Sequence, residues 1–515
     1  MSRAEQTVVF PEVLVKAQAL AVENYNFSDI SLLKFTSESL DTPLAVTLLP
    51  QSLNTDRGSM TLHDALSAVA GVTLDDRDGN FSGDILIMRD FRSRDDLFLD
   101  GLRDSGHYHR DTFNIEQVEV FKGPVATIFG RGSGGGVVNQ QSKAPQTSDI
   151  TNTMLTAGSD HTTRITGDIN RNVGENTSVR FNFLAHESMQ DRYGLALAFS
   201  EGFGTANRNS LSYLRQTDSG VLGNTKTDIL SARFDRDFSE AASLHQQLRY
   251  SVYSQENLNE SALDYDVNLI RKVSFHSIVL AAEAVRENQN SLGATTLAAS
   301  IADTMNLSAK WEWTEQLRFD YMESAKATES RTDNQMLSSR GGLVYKPIAE
   351  ASVYLTYATS FNPSVDLALP PEKNRIYELG SKWQLNPELQ LTGAVFNNEK
   401  IDVQRIHGYE VFLSGAVLER WQLITGFTST DAPGSSFTFW GTYQAGADCV
   451  FGAGAKATDY YTVFDLMARY RMDPKLSFRV NVNNLNDSIY FDVIHLGNTV
   501  PATGRSLLLT GELIL

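Results

Sequence analysis

From residue 150 to the C-terminus, apolar and polar residues alternate in short segments. In 476–483, Leu476, Phe478, Val480 and Val482 share one face, and Ser477, Arg479, Asn481 and Asn483 share the other. The same split sets Leu244, Leu248, Tyr250 and Val252 against Gln247, Arg249 and Ser251. It also sets Phe464, Leu466, Ala468 and Tyr470 against Asp465, Arg469 and Arg471. A period of two predicts strands with two unlike faces. Here the polar face carries Arg, Asp, Asn and Glu at strand centres, and the opposite face is aliphatic and aromatic. That is the pattern of a membrane barrel, with lipid outside and a polar lumen inside.

The spacing predicts an all-β transmembrane antiparallel barrel of about 20–22 strands over 149–515. Hairpin turns are expected at Leu385–Glu388, Met472–Lys475, Tyr345–Pro347 and Trp313–Glu315, and longer loops at 285–302, 324–336, 360–373 and 484–504. Two strands between 260 and 285 are poorly patterned. In the last strand, Arg505 to Leu515, the residues Leu507, Leu509, Leu513 and Leu515 share the lipid face.

Residues 31–148 follow a different rule. Leu62, Ala65, Leu66 and Val69 lie at helical spacing, with Gly71 as a stop. Val118, Val120 and Phe121 lie in a strand that ends at Gly123-Pro124. This reads as a compact α+β domain, preceded by an N-terminal extension over 1–30. A barrel of this size has a lumen wide enough to hold such a domain.

Composition narrows the function. The 515 residues include 62 acidic and 44 basic side chains, a net charge of -18, which argues against nucleic acid as a partner. A single cysteine excludes a disulfide framework and any multi-cysteine metal site. No run of about 18 apolar residues is present to form a membrane-spanning helix. Met1–Gln6 leads into polar sequence without the apolar core of a signal peptide, which by itself implies the cytoplasm and conflicts with the barrel pattern.

The motifs do not point to an enzyme. Gly130–Gly136 contains GxGxxG, but a strand-like Val137-Val138-Asn139-Gln140 follows where a helix is required. A tight glycine turn is the expected structure. Ser133 does not sit in a strand-to-helix nucleophile elbow. His107-Tyr108-His109 has no further ligands at a recognisable spacing, so an exposed loop tip is expected and no metal site.

Two long stretches carry a resemblance. They are Asp100–Gly106 with Arg110–Pro124, and Phe129–Asn139. Together they resemble the plug domain of TonB-dependent outer-membrane siderophore receptors, closest to the catecholate-type branch. Thr359–Ser364, Leu369–Trp383, Val482–Asp487 and Gly504–Ser506 look like that family's barrel. The likeness covers about residue 30 to 515.

The resemblance implies uptake of a ferric siderophore, as transported ligand and with no cofactor, through the outer membrane of a Gram-negative bacterium. Its implied partners are TonB with its inner-membrane energising complex, outer-membrane lipid and the barrel-assembly machinery. A monomer is expected. Glu12, Val13, Leu14, Val15 and Lys16 form the expected TonB-contacting segment, extended and suited to strand addition. Arg89 and Arg131 of the plug are expected to pair with Glu378 or Glu410 of the barrel as an ionic latch. Periodicity independently places Glu378 on the lumen face with Ile376 and Gly380. Arg103, His107, Tyr108 and Arg110 at the plug apex are the expected ligand contacts, since Arg and aromatic groups suit a flat anionic catecholate complex.

The chain departs from the family in four ways. It shows no signal peptide. It ends in Leu515 where the family usually has an aromatic. It carries Asp90 where Gly is usual. The connections at 215–226, 254–259, 400–407 and 428–434 are short. These departures leave a second reading: a reduced plugged barrel that no longer transports and acts as a surface interaction protein.

Overall fold

The computed structural model describes Tyr25 and residues 30–515, except 36, 79–80, 90, 94, 133, 160, 221–222, 256–257, 291, 327–330, 364–370, 432–433, 447, 496–497 and 502–503. Residues 150–514 form a closed antiparallel barrel of 22 strands. The alternating faces set its register. In Leu476–Asn483, Ser477, Arg479 and Asn481 are buried toward the lumen while Phe478 and Val480 are exposed toward lipid. The last strand, Ser506–Ile514, closes the ring by pairing with Leu476–Asn483 on one side and Ile150–Gly158 on the other. Leu507, Leu509, Leu513 and Leu515 face outward, as the pattern requires. Among the described residues no helix is long and apolar enough to cross a membrane.

Both ends of the barrel lie at one rim, called here the near rim. Trp311 and Trp421 stand exposed there, their rings packed at a tilt against Tyr345 and Tyr443. Aromatic groups of this kind anchor a barrel at the lipid–water interface.

The connections differ from expectation in four places. Trp313–Glu315 lies inside the strand Trp311–Lys326, and the turn is at Ala309-Lys310. Tyr345–Pro347 also lies within a strand, Thr332–Ile348. Its proline falls where the register shifts between Tyr345 and Ile348, and a bulge tolerates the missing N–H donor. Stretches 285–302 and 324–336 are not long loops. The strands His276–Gln289 and Leu292–Ser308 continue to within two residues of each other, and Thr332–Ile348 starts five residues after Lys326. There Leu297 and Ile301 face lipid, while Ala298 and Ala302 stand on the lumen-facing side and erase its polar signal. The expected connection at 360–373 spans 363–371 between strands, and the longest far-rim connection, 484–505, carries a small hairpin, Phe491–His495 with Asn498–Pro501.

Residues 45–142 fill the lumen with two small sheets. The larger has five strands in the order Ala45–Pro50, Ile115–Lys122, Gly136–Ser142, Leu97–Leu99, Leu102–Arg103. The smaller joins Val72–Asp78, Phe81–Met88 and Phe91–Ser93. Leu49, Val118, Val120 and Val138 form a fully buried core with Leu53, Leu62 and Leu66. The helix is shorter than its spacing suggests, Leu62–Leu66. Thr61 caps it, accepting from the Asp64 amide while the Asp64 carboxylate accepts from the Thr61 amide.

The glycine turn is close-packed. A Cβ on Gly135 would come within 2.3 Å of the Met88 carbonyl oxygen, and one on Gly136 within 2.2 Å of the Phe121 carbonyl oxygen. This explains the glycines without a nucleotide.

Candidate functional site: the plug–barrel interface

At mid-barrel, Arg89 reaches across from the plug to two barrel carboxylates. Its Nη2 donates to Glu378 Oε2 at 2.9 Å and to Glu410 Oε1 at 2.7 Å. The strands Glu372–Asn386 and Gln404–Leu418 aim both glutamates inward. Arg89 has φ +49, a left-handed backbone that costs energy outside glycine and here turns the side chain toward the wall. Its guanidinium lies 3.7 Å over the Phe396 ring. Gly123 leaves the room, because a Cβ there would stand 3.1 Å from Arg89 Nη1. Burial works against the charge on Arg89, but the Glu410 and Glu378 carboxylates hold its pKa above the ordinary value.

The second cation at this cluster is Lys122, whose Nζ lies 3.1 Å from Glu410 Oε2. Tyr354 and the Ala45 amide donate to Glu378 Oε1 at 2.8 and 3.2 Å. Two cations therefore face two carboxylates in a water-poor site. Arg131 is not part of it. It pairs with Glu287 at 2.5 Å, near the far rim. Arg131 lies at the start of the glycine turn, where its carbonyl accepts from Arg103 Nη2 at 2.8 Å, and its side chain points to Glu287, away from the mid-barrel glutamates.

The apex residues divide. His107, Tyr108 and Arg110 are buried, not an exposed tip. His107 Nδ1 lies 2.9 Å from Glu260 Oε2. Tyr108, Tyr253 and Arg110 all donate to Asp104, at 2.8, 2.8 and 2.7 Å. Asp104 and Glu260 draw Tyr108, Arg110 and His107 inward, which composition alone does not show. Arg103 stays partly exposed. After Arg110 in the chain, Asp111 accepts a bidentate pair from Arg164 at 2.7 and 2.6 Å and a third bond from Arg192 at 3.2 Å. Burial favours a neutral Asp111, but those guanidiniums hold its pKa below the usual carboxylate value.

Glu12–Lys16 lies outside the described residues, as do Asp90 and Ser133. Asp111, Lys122, Arg164, Arg192 and Lys382 were not singled out from the sequence. A usable signal existed for the barrel ones: a charge at a lumen-facing position of an alternating strand, as with Arg249, which donates to the plug carbonyls of Leu99 and Leu102.

The profile described as "TonB dependent receptor-like, beta-barrel" matches residues 89–485, and that of the "TonB-dependent Receptor Plug Domain" matches 38–137. The chain belongs to the TonB-dependent receptors. This receptor is 24% identical to the catecholate siderophore receptor Fiu of Escherichia coli, with 96% of each chain covered. It is 23% identical to the probable TonB-dependent siderophore receptor PiuA of Acinetobacter baumannii, with 92% of each covered. The crystal structure of PiuA superposes with a TM-score of 0.88 at 22% identity, covering 96% of this receptor and 100% of that chain.

The alignment with Fiu runs over 730 positions against 515 residues here, so at least 215 positions face a gap in this receptor. The gaps are internal, since both chains are covered almost end to end. The barrel keeps 22 strands, so the shortening falls on strand ends and connections. On the far rim most connections are five residues or fewer.

Proposed function

We propose that this receptor imports a ferric siderophore of catecholate type through the outer membrane, energised by TonB. The carrying observation is the buried two-cation, two-carboxylate cluster that joins plug to barrel. A buried ionic cluster of this kind adds little net stability but is strongly destabilising when half-broken. It suits a seal that must hold at rest and give way under a directed pull. The names of Fiu and PiuA support the cargo.

The ligand contacts best supported are Arg103 and Arg131, which are partly exposed on the far-rim side of the plug. Of the four apex residues, His107, Tyr108 and Arg110 act through the packing of the apex. Arg89, with Lys122 in place of Arg131, forms the latch with Glu378 and Glu410. Glu12–Lys16 is the TonB-contacting segment.

Cells that express this chain should accumulate a radioiron-labelled iron(III)–catecholate complex. Accumulation should fall to background when TonB is deleted or the proton gradient is collapsed. The short far-rim connections favour one other reading, a plugged barrel that no longer transports. Surface binding of the complex without TonB-dependent accumulation would establish that reading instead.

A further inference from the structure

Two ion clusters stand on the outward face of the wall, both toward the far rim. The first spans the strands Asn207–Gly220 and Gly223–Ser239. Arg215 shares the phase of the exposed Leu211, and Lys226 and Asp228 share that of the exposed Leu230. Asp228 Oδ2 lies 3.1 Å from Lys226 Nζ, and its Oδ1 lies 3.6 Å from Arg215 Nε and accepts from the Tyr213 hydroxyl at 2.6 Å. The second cluster spans three strands. Arg375, Glu399 and Arg405 pair in register, in phase with the exposed Tyr377, Val395 and Tyr409. Glu399 Oε2 lies 2.6 Å from Arg375 Nε, and Oε1 lies 3.0 Å from Arg405 Nη2.

Each cluster sets two cations against one carboxylate, a local positive surplus in a chain whose net charge is -18. The carboxylate is the covered member. The Glu399 side chain is 14% exposed, against 38% for Arg375 and 53% for Arg405. The cations therefore face outward. Toward the near rim, apolar rows follow at once: Leu197, Tyr213, Leu230 and Tyr250 in one sector, Leu355, Leu379, Val395 and Tyr409 in the other. Charge on a lipid face is costly at the midplane and cheap at the interface, so both clusters belong at headgroup level. The longest connections, 363–371 and 484–505, lie on the far rim, which makes it the outer one.

Beside the first cluster, a groove of about 500 Å³ opens at the far rim. Tyr193, Thr217, Lys226, Ser254 and Asn259 form one register row along it. Its carboxylates are engaged elsewhere: Asp218 accepts from Gln216 and Thr225, and Asp191 accepts from the Ser188 amide.

We propose that the two clusters seat the phosphate groups of an outer-leaflet glycolipid. Guanidinium and ammonium groups take the phosphates. The hydroxyl, amide and phenol groups of the groove take the sugar, and the apolar rows take the acyl chains. A simple phospholipid head has no sugar to fill a groove of this size. The inference needs only the barrel in an outer membrane and does not depend on the transport reading.

The test is native mass spectrometry of the detergent-solubilised full chain. The probes are bisphosphorylated lipid A, the same glycolipid without its phosphates, phosphatidylglycerol and inorganic phosphate. The parent chain should retain bisphosphorylated lipid A, and the other three probes far less. Arg215→Gln with Lys226→Gln, and Arg375→Gln with Arg405→Gln, should each weaken retention at one seat roughly tenfold. Asp228→Asn and Glu399→Gln remove the competing carboxylates and should tighten it. Heat-modifiable migration reports folding. Equal retention of the dephosphorylated glycolipid would overturn the phosphate seats, and equal retention of phosphatidylglycerol would overturn the glycolipid. Unchanged retention in both folded double variants would overturn the clusters. If a double variant fails to fold, retention no tighter in the matching carboxylate variant overturns that seat equally.

Discussion

Replacing Arg89 with Met should destabilise the seated plug by about 3–5 kcal/mol, because the change leaves buried carboxylates without their cation. Lys122 still neutralises Glu410, so the uncompensated charge falls on Glu378, which among the described residues keeps the Tyr354 hydroxyl and the Ala45 amide as its hydrogen-bond donors. The readout is the resting seal. Cells carrying Arg89→Met should admit large hydrophilic antibiotics that the parent chain excludes, and the plug should become open to protease. The double change Arg89→Met with Glu378→Gln should recover much of the seal, since it removes the orphaned charge. A seal as tight as the parent's in the single variant would remove the latch from the mechanism. The sign matters for design. Weakening the cluster raises leakage, and it should not raise energised transport, which needs the rest of the plug in place.

The second large effect is expected at Gly136. Its φ is +140, a backbone region that side chains rarely adopt, and a Cβ would stand 2.2 Å from the Phe121 carbonyl oxygen and 2.4 Å from the Met88 sulfur. Gly136 faces Lys122 in register, and Met88 precedes Arg89, so any relief of the clash displaces both cations of the latch. Gly136→Val should therefore cost about 4–5 kcal/mol, at the upper end for single substitutions. The barrel strands do not depend on this turn. The expected product is a barrel that still migrates as a heat-modifiable species, while the plug is digested by trypsin and the ring conducts ions. A fully protected plug in Gly136→Val would show that the turn tolerates a side chain after all.

The barrel was legible because lipid and lumen impose opposite demands on successive residues. Wherever the two sets were chemically distinct, as in 476–483, direction and register followed. Where alanine takes the place of polar residues on the lumen face, as at Ala298 and Ala302, contrast fades and strand reads as loop. Trp313–Glu315 looked like a turn only because a polar pair interrupts aromatic residues. In fact Trp311 and Trp313 are alternate residues of one strand.

The latch was legible at Arg89, Glu378 and Glu410 from the family likeness, with Glu378 supported by strand phase. Arg131 was not, because a plug side chain's direction depends on the fold of the glycine turn and no periodicity governs it. The apex failed for a related reason. Arg110 and Tyr108 carry the chemistry of ligand contacts, yet Asp104 consumes both. The sequence shows five Asp and five Arg in 89–110, but which arginine each carboxylate captures is decided only in three dimensions.

The far rim has a consequence for how the cell meets its surroundings. Apart from the connections at 363–371 and 484–505, its connections are clipped to five residues or fewer. A crown cut this short barely rises above the lipid headgroups, within the reach of the surrounding outer-leaflet sugars. Antibodies and other large binders recognise protruding loops, and this molecule gives them almost no relief to hold. The same low profile leaves the plug's outer face open to small solutes, so concealment from large bodies and access for small ones arise from a single economy of chain.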